Sequence, residues 1–396
     1  MDPIRNPYSP GAGSPPPELA GRNALRAQLA IALARIRRGN QAKSVLMVGL
    51  RGVGKTVLLD QIRKDAEEKG IYALRIEAPE NKSLPALLAP QLRQTLLRLS
   101  RVEAAKAGAQ RALRALAGFA KALKVSYKDI EVGFDYEPEP GLADNGDLEI
   151  DLTALLEQVG VAARDAKSAV VVFIDELQYV KEAQLGALIS ALHRCAQNSL
   201  PLTVVGAGLP QLRGMTGNAK SYAERLFDFP TIGPLTESEA ELAIAKPARD
   251  EGVDYDSAAI SAIISKTRGY PYFLQEWGKH AWEAAKQSPI TAEDVEIASI
   301  TAIAALDESF FLVRFDRLTP TEKTYLRAMS ALGPGPHRSG DIADRLGRPV
   351  SSFGPVRSGL IAKGMIWSPN HGDTAFTVPL FDEFMKRIMP GNDWET

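Results

Sequence analysis

A chain of 396 residues exceeds what one hydrophobic core ordinarily organises, which points to two or three domains. Apolar residues make up 45% and charged ones 24%, and 47 basic against 48 acidic side chains leave a net charge of −1, so nothing pulls the whole chain toward nucleic acid or membrane. The single cysteine, Cys195, excludes an intrachain disulfide and suits a reducing cytoplasm, and no apolar run approaches the ~18 residues of a membrane helix.

The opening "MDPIRNPYSPGAGSPPPELAG" has no apolar core and cannot be a secretory signal. Its Pro, Gly and Ser content predicts a disordered tail over 1–17. A helix-entry Gly21-Arg22 follows in "ELAGRNALRAQL". The apolar run "SVLMVG" then reads as a buried parallel strand leading into Gly49-Leu50-Arg51-Gly52-Val53-Gly54-Lys55-Thr56-Val57. That stretch fits the P-loop pattern. Its glycines let successive main-chain N–H groups face phosphate oxygens, Lys55 reaches the β- and γ-phosphates, and the Thr56 hydroxyl is placed for Mg²⁺. "KTVLLDQIRKDAEEKG" has the 3.6-residue period of the helix whose N-terminus the cradle requires.

A strand is expected in "IYALRIEA" (71–78), followed by a long helical stretch over about 84–124. Residues 81–128 carry a net charge of about +9 and residues 129–151 about −9. Two explanations stand for these blocks: they neutralise each other, or a basic helix that tracks phosphates is held off by an acidic hairpin. "AVVVFIDELQ" supplies a buried strand ending in Asp175 and Glu176. Two carboxylates at a strand tip repel one another and ask for a function. Asp175 is assigned to the metal and Glu176 to polarising an attacking water. Cys195 falls in the helical "ALISALHRCAQ", where a small buried thiol is expected and not a nucleophile. Strands at 202–208 and 227–232 complete a parallel sheet covered by helices.

Capping signals at Thr236-x-x-Glu239 and Thr291, with helical spacing between them, predict an all-helical lid over 236–315, with Trp277 and Trp282 in its core. "LTPTEKTYLRAMSAL" is a capped helix, "SGDIADRLG" a second, and "RPVSSFGPVRSGLIAKGMI" a third with Leu360 inward and Arg357 and Lys363 outward. An alternating stretch around His371-Gly372-Asp373 reads as a hairpin. Three helices and a hairpin over 316–390 resemble a winged helix, which would offer Arg348, Ser351, Ser352 and Arg357 to duplex DNA. The charge over 317–396 is only about +2, and protein docking is an equal alternative.

A strand inserted between the two nucleotide motifs, with Glu directly after Asp, resembles the glutamate-bearing P-loop ATPases that include the AAA+ and STAND proteins. Gly21-Arg22 looks like the Gly-Arg entry motif of initiator-type members, which wraps the adenine. Gly269-Tyr270-Pro271 is similar to the Gly-x-Pro motif that closes a lid over the base. The resemblance also implies that Arg225, ahead of the fifth strand, could reach a neighbouring subunit's γ-phosphate in a homo-oligomer. One departure stands out: the position where AAA+ proteins carry a polar sensor reads Gly206-Ala207-Gly208, which implies a slow switch rather than a fast motor.

The resulting expectation is an α/β P-loop ATPase domain over 18–235 with a charged insertion at about 84–151, then the lid and the winged helix. It would bind and hydrolyse ATP with Mg²⁺ in the cytoplasm and couple the nucleotide state to DNA. The alternative is a STAND-like signalling switch that assembles with ATP and contacts protein partners. No transporter signature, metalloprotease spacing or Ser-His-Asp triad is present.

Overall fold

In the computed structural model, residues 1–11, 13–124, 126–130 and 136–391 are described. The chain divides into two compact units, one of 22–48 and 55–231, the other of 1–21, 49–54 and 232–396.

The first unit is a sheet wrapped by helices. Its elements are α1 (Asn23–Arg37), β1 (Ser44–Val48), α2 (Lys55–Glu68), β2 (Tyr72–Glu77), α3 (Leu84–Leu99), α4 (Lys106–Leu123), α5 (Leu148–Asp165), β3 (Val170–Asp175), α6 (Glu182–Gln197), β4 (Leu202–Gly208), α7 (Leu212–Ala219), α8 (Ala223–Leu226) and β5 (Phe227–Asp228). All five strands run parallel, in the order β2-β3-β4-β1-β5. Every residue of β1, β3 and β4 is buried, which is why these strands read as unbroken apolar runs and do not alternate. Both nucleotide motifs therefore lie at the C-terminal ends of strands, where open α/β sheets bind ligands.

The charged insertion is helical: no strand lies among the described residues of 84–151, so the acidic hairpin is absent there. Helix α4 packs an alanine- and leucine-rich face that includes Ala109, Ala112, Leu113, Leu116 and Phe119. Arg111 and Arg114 both pair with Glu139, at 3.2 and 3.3 Å, so the two charge blocks partly neutralise each other. Glu131 and Asp135, counted in the acidic block, lie outside the described residues. Cys195 is fully buried on α6, and burial beside Glu157 pushes its thiol up to about 12, so it is inert, as its helical setting implied.

The second unit holds α9 (Glu237–Asp250), α10 (Ser257–Thr267), α11 (Pro271–Ala284), α12 (Ala292–Leu306), a π-helical turn at Asp307–Leu312, α13 (Val313–Phe315), α14 (Pro320–Ala331), β6 (His337–Arg338), α15 (Ser339–Arg345), α16 (Gly354–Ala362), β7 (Ile366–Trp367), β8 (Asp373–Phe376) and α17 (Phe381–Ile388). Capping boxes form at Thr236/Glu239, Thr291/Asp294 and Thr319/Glu322, as the sequence signals required. Strands β6, β8 and β7 make a small antiparallel sheet. The regions expected as a separate lid and C-terminal domain share one core: Phe311 stacks on Phe384 with ring centroids 5.2 Å apart and meets Phe381 at 5.9 Å. Trp277 and Trp282 are buried in it.

The N-terminal segment corrects the expected disordered tail. Asp2 accepts from Trp282 Nε1 at 2.9 Å, Asn6 donates to the Lys279 carbonyl at 3.1 Å, and Arg5 pairs with Glu251 at 3.1 Å. Tyr8 is buried, and its hydroxyl donates to the Ile244 carbonyl. The Pro and Gly content limits regular structure but does not prevent a short segment from strapping onto helices when it carries one large aromatic anchor.

Candidate nucleotide-binding site

In the sheet unit, Lys55 opens α2 and its side chain is buried. Next to it in sequence, Thr56 hydrogen-bonds through its side chain to the carboxylate of Asp175, the last residue of β3. Burial is the main force on Asp175 and pushes its carboxyl above the ordinary value; the neighbouring Glu176 adds to this, while Thr56, the Glu176 main chain and Lys55 oppose it. A buried carboxylate beside a hydroxyl is an incomplete set of hard oxygen donors. It fits Mg²⁺, which takes only one or two protein oxygens and completes its shell with phosphates and water. Among the described residues there is no cluster of three or more His, Cys, Asp or Glu side chains that could hold a metal ion.

Glu176 sits in the left-handed region (φ 53°), where non-glycine residues are uncommon. Its main-chain N–H donates to Asp175 Oδ1 at 2.8 Å, and its half-buried side chain accepts from the Nε2 of Gln178. Gln178 in turn accepts through Oε1 from the main-chain N–H of Leu209 at 3.0 Å, just past β4. The reading of the sequence did not single out Gln178. The available signal was the glutamine two residues after Glu176, combined with an unusually small strand end at 206–208. A Cβ built on Gly208 would lie 2.8 Å from Gln178 Oε1 and 2.9 Å from Leu212 Cδ2, and one on Gly206 2.6 Å from Leu46 Cδ2. A larger residue at 206 or 208 would therefore have to displace these side-chain ends, Gln178 among them.

Arg225 is exposed at the end of α8, next to β5, which among the described residues is an edge strand paired with β1. Arg22 is the N-cap residue of α1 and makes no side-chain cap.

The other unit contains loop 49–54, which continues from β1 and leads covalently into α2. A side chain at Gly49 would meet the Ile232 carbonyl oxygen at 2.2 Å, so no other residue fits there. Arg51 donates its N–H to the Thr377 carbonyl at 2.9 Å, and the Gly52 carbonyl accepts from the Tyr272 N–H at 3.2 Å. Pro271 starts α11 directly before Tyr272, whose ring stacks on Phe310 at 4.9 Å. Tyr272 and Thr377 were likewise not singled out from sequence, since neither lies in a motif. Gly21 (φ 71°) lies against the Glu239 carboxylate, where a Cβ would come within 2.5 Å, so both backbone and packing favour glycine here.

In the C-terminal region, Arg348, Ser351 and Ser352 are exposed. Arg357, expected to face outward, turns to the hairpin instead: it donates to Ser368 Oγ at 2.9 Å and to the Asp373 carbonyl at 3.3 Å. Lys363 is similarly drawn in, donating to Glu322 at 2.6 Å and to the Arg317 carbonyl. Long basic side chains bend toward nearby acceptors when their stems cross an apolar surface.

Residues 18–205 match the AAA ATPase domain family, and residues 308–385 match a domain of unknown function (DUF8462). In structure the chain is similar to the Walker-type ATPase PABY2304 of Pyrococcus abyssi, with TM-score 0.60 and 15% identity over 93% of this chain and 96% of that one. It also aligns with the Aeropyrum pernix ORC1 protein solved in complex with DNA (TM-score 0.47, 16% identity, 94% of each chain). A third is the Thermotoga maritima RuvB Holliday junction branch migration motor (TM-score 0.43, 18% identity, 90% and 92% of the two chains). No curated protein matches the chain in sequence. No helix among the described residues is long and apolar enough to cross a membrane.

Proposed function

Since the chain carries a P-loop ATPase domain of AAA+ type, we propose that it is an ATP-driven switch whose nucleotide state is transmitted to its C-terminal domain, and that this domain, read as a winged helix, contacts duplex DNA. The observation that carries the coupling is the pair of main-chain hydrogen bonds on loop 49–54: Arg51 to Thr377 in the C-terminal domain and Tyr272 to Gly52 from the lid helix α11. A change in the shape of loop 49–54 when phosphates arrive either strains these bonds or moves the segments that hold them. Lys55 contacts the β- and γ-phosphates, and Thr56 and Asp175 hold Mg²⁺, which neutralises charge on the phosphates. Glu176 polarises the attacking water. Pro271 and the segment at Gly21-Arg22 border the base, and Arg225 completes a neighbour's site if the chain assembles with copies of itself.

Exposed Arg348, Ser351 and Ser352 are the groups offered to DNA. Fluorescent duplex DNA titrated with the protein at two salt concentrations, with ATP, with ADP and without nucleotide, tests this. Affinity that depends on nucleotide and falls steeply with salt is expected. Absence of binding in every state would transfer the reading to a STAND-like switch that docks on proteins. The engagement of Arg357 and Lys363 within the domain favours that second reading, because these are the cation of α16 and the one directly after it.

A further inference from the structure

We infer that Gln178 is a positioning residue for ATP hydrolysis, fixing the carboxylate of Glu176 against the end of β4. This rests on the proposed role of Glu176.

The hydrogen-bond chain has only one sense. The Leu209 N–H can only donate, so it takes the amide oxygen of Gln178 at 3.0 Å; an ionised Glu176 carboxylate can only accept, so it takes the amide nitrogen. Turning the amide over would set donor against donor and acceptor against acceptor. The side chain is buried, which leaves water little chance to replace either partner. The Oε2 oxygen of Glu176 is thereby held in place.

The surroundings are shaped to this amide. Parallel pairing of β3 with β4 sets Ile174 beside Gly206 and brings the end of β4 next to the turn after Glu176. Glycine at 208 clears the volume that Gln178 Oε1 fills. The left-handed backbone at Glu176 turns the chain so that residues 176 and 178 face the same way, an unfavourable conformation of the kind kept at functional sites. The C-terminal end of β4 is Gly206-Ala207-Gly208, without a polar side chain, and Gln178 links this strand end to the carboxylate.

The test uses the full chain, Gln178→Glu and Gln178→Leu, and a cycle with Glu176→Gln. The near-isosteric Gln178→Glu keeps an acceptor for Leu209 but sets a second carboxylate against Glu176, which guards against a merely unfolded Leu variant. Each variant is expected to lower kcat by at least ~10-fold while binding of a fluorescent ATP analogue stays within about twofold. In the Glu176→Gln background, adding Gln178→Leu is expected to leave the residual single-turnover rate unchanged, because the amide acts through the carboxylate. A kcat within about twofold of the parent for Gln178→Glu, or the same fold-loss in both backgrounds, overturns the inference. If Glu176→Gln itself turns over like the parent, the role of Glu176 falls first, and the two failures are told apart.

Discussion

Arg51 and Thr377 are joined by a main-chain hydrogen bond of 2.9 Å, although 326 positions separate them in the sequence. The acceptor follows β8 directly, and the Thr377 hydroxyl is itself anchored on the Gly364 carbonyl. Loop 49–54 is therefore bonded to a strand end whose position depends on the packing of the C-terminal domain.

That packing is shared with the lid, so damage on one side should be felt on the other. Phe384→Ala removes the ring stacked on Phe311 and is expected to cost ~3–5 kcal/mol. Amide hydrogen exchange should show α11 and α14 losing protection together. Loss confined to α14 would mean that the two regions open independently.

For the nucleotide site, Lys55→Ala is expected to weaken ATP binding by at least about 100-fold, because a buried ammonium is lost from the phosphates. Glu176→Gln should retain binding and stop turnover. For Arg225, specific activity should rise with protein concentration and fall by about 1000-fold in Arg225→Ala; a rate per chain that is independent of concentration would remove Arg225 from catalysis.

The Glu322–Lys363 pair gives a pH-dependent stability. Burial alone would raise the Glu322 carboxyl, but the Lys363 ammonium and the Thr319 N–H overcome it and hold the carboxyl below its ordinary value of 4.5. A folded-state pKa below the unfolded one means that the stabilisation is present above about pH 4.5 and is lost as the pH falls through the lowered value. Glu322→Gln should therefore cost ~1 kcal/mol near neutral pH. Thermal melts of the two proteins should converge in acid; a constant difference across pH would assign the effect to packing.

Tyr8→Phe deletes the hydroxyl that donates to the Ile244 carbonyl and leaves that buried acceptor without it. A loss of ~1–2 kcal/mol in denaturant melts is expected, together with faster proteolysis within the first ten residues. Unchanged cleavage would show that the ring alone holds the segment.

The P-loop and the β3 carboxylates were legible because each depends on contiguous residues: an apolar strand, a turn of fixed chemistry, a helix start. Gln178 was not, since its role exists only once β4, 30 residues downstream, lies beside β3. The N-terminal strap failed for a different reason. Composition measures average tendency, whereas Tyr8 needs only one slot between helices. Arg357 misled because helical periodicity gives the direction of a Cβ and not the end of a long side chain, which here folds back on Ser368.

The crowding between Gln178 and Gly208 also sets an order in which this site could have changed. A side chain added at 208 first would collide with the amide at 2.8 Å, whereas shortening residue 178 first opens room at the cost of the link to Glu176. Positions 178 and 208 thus compete for one volume, and the residue that suits one depends on the length of the other.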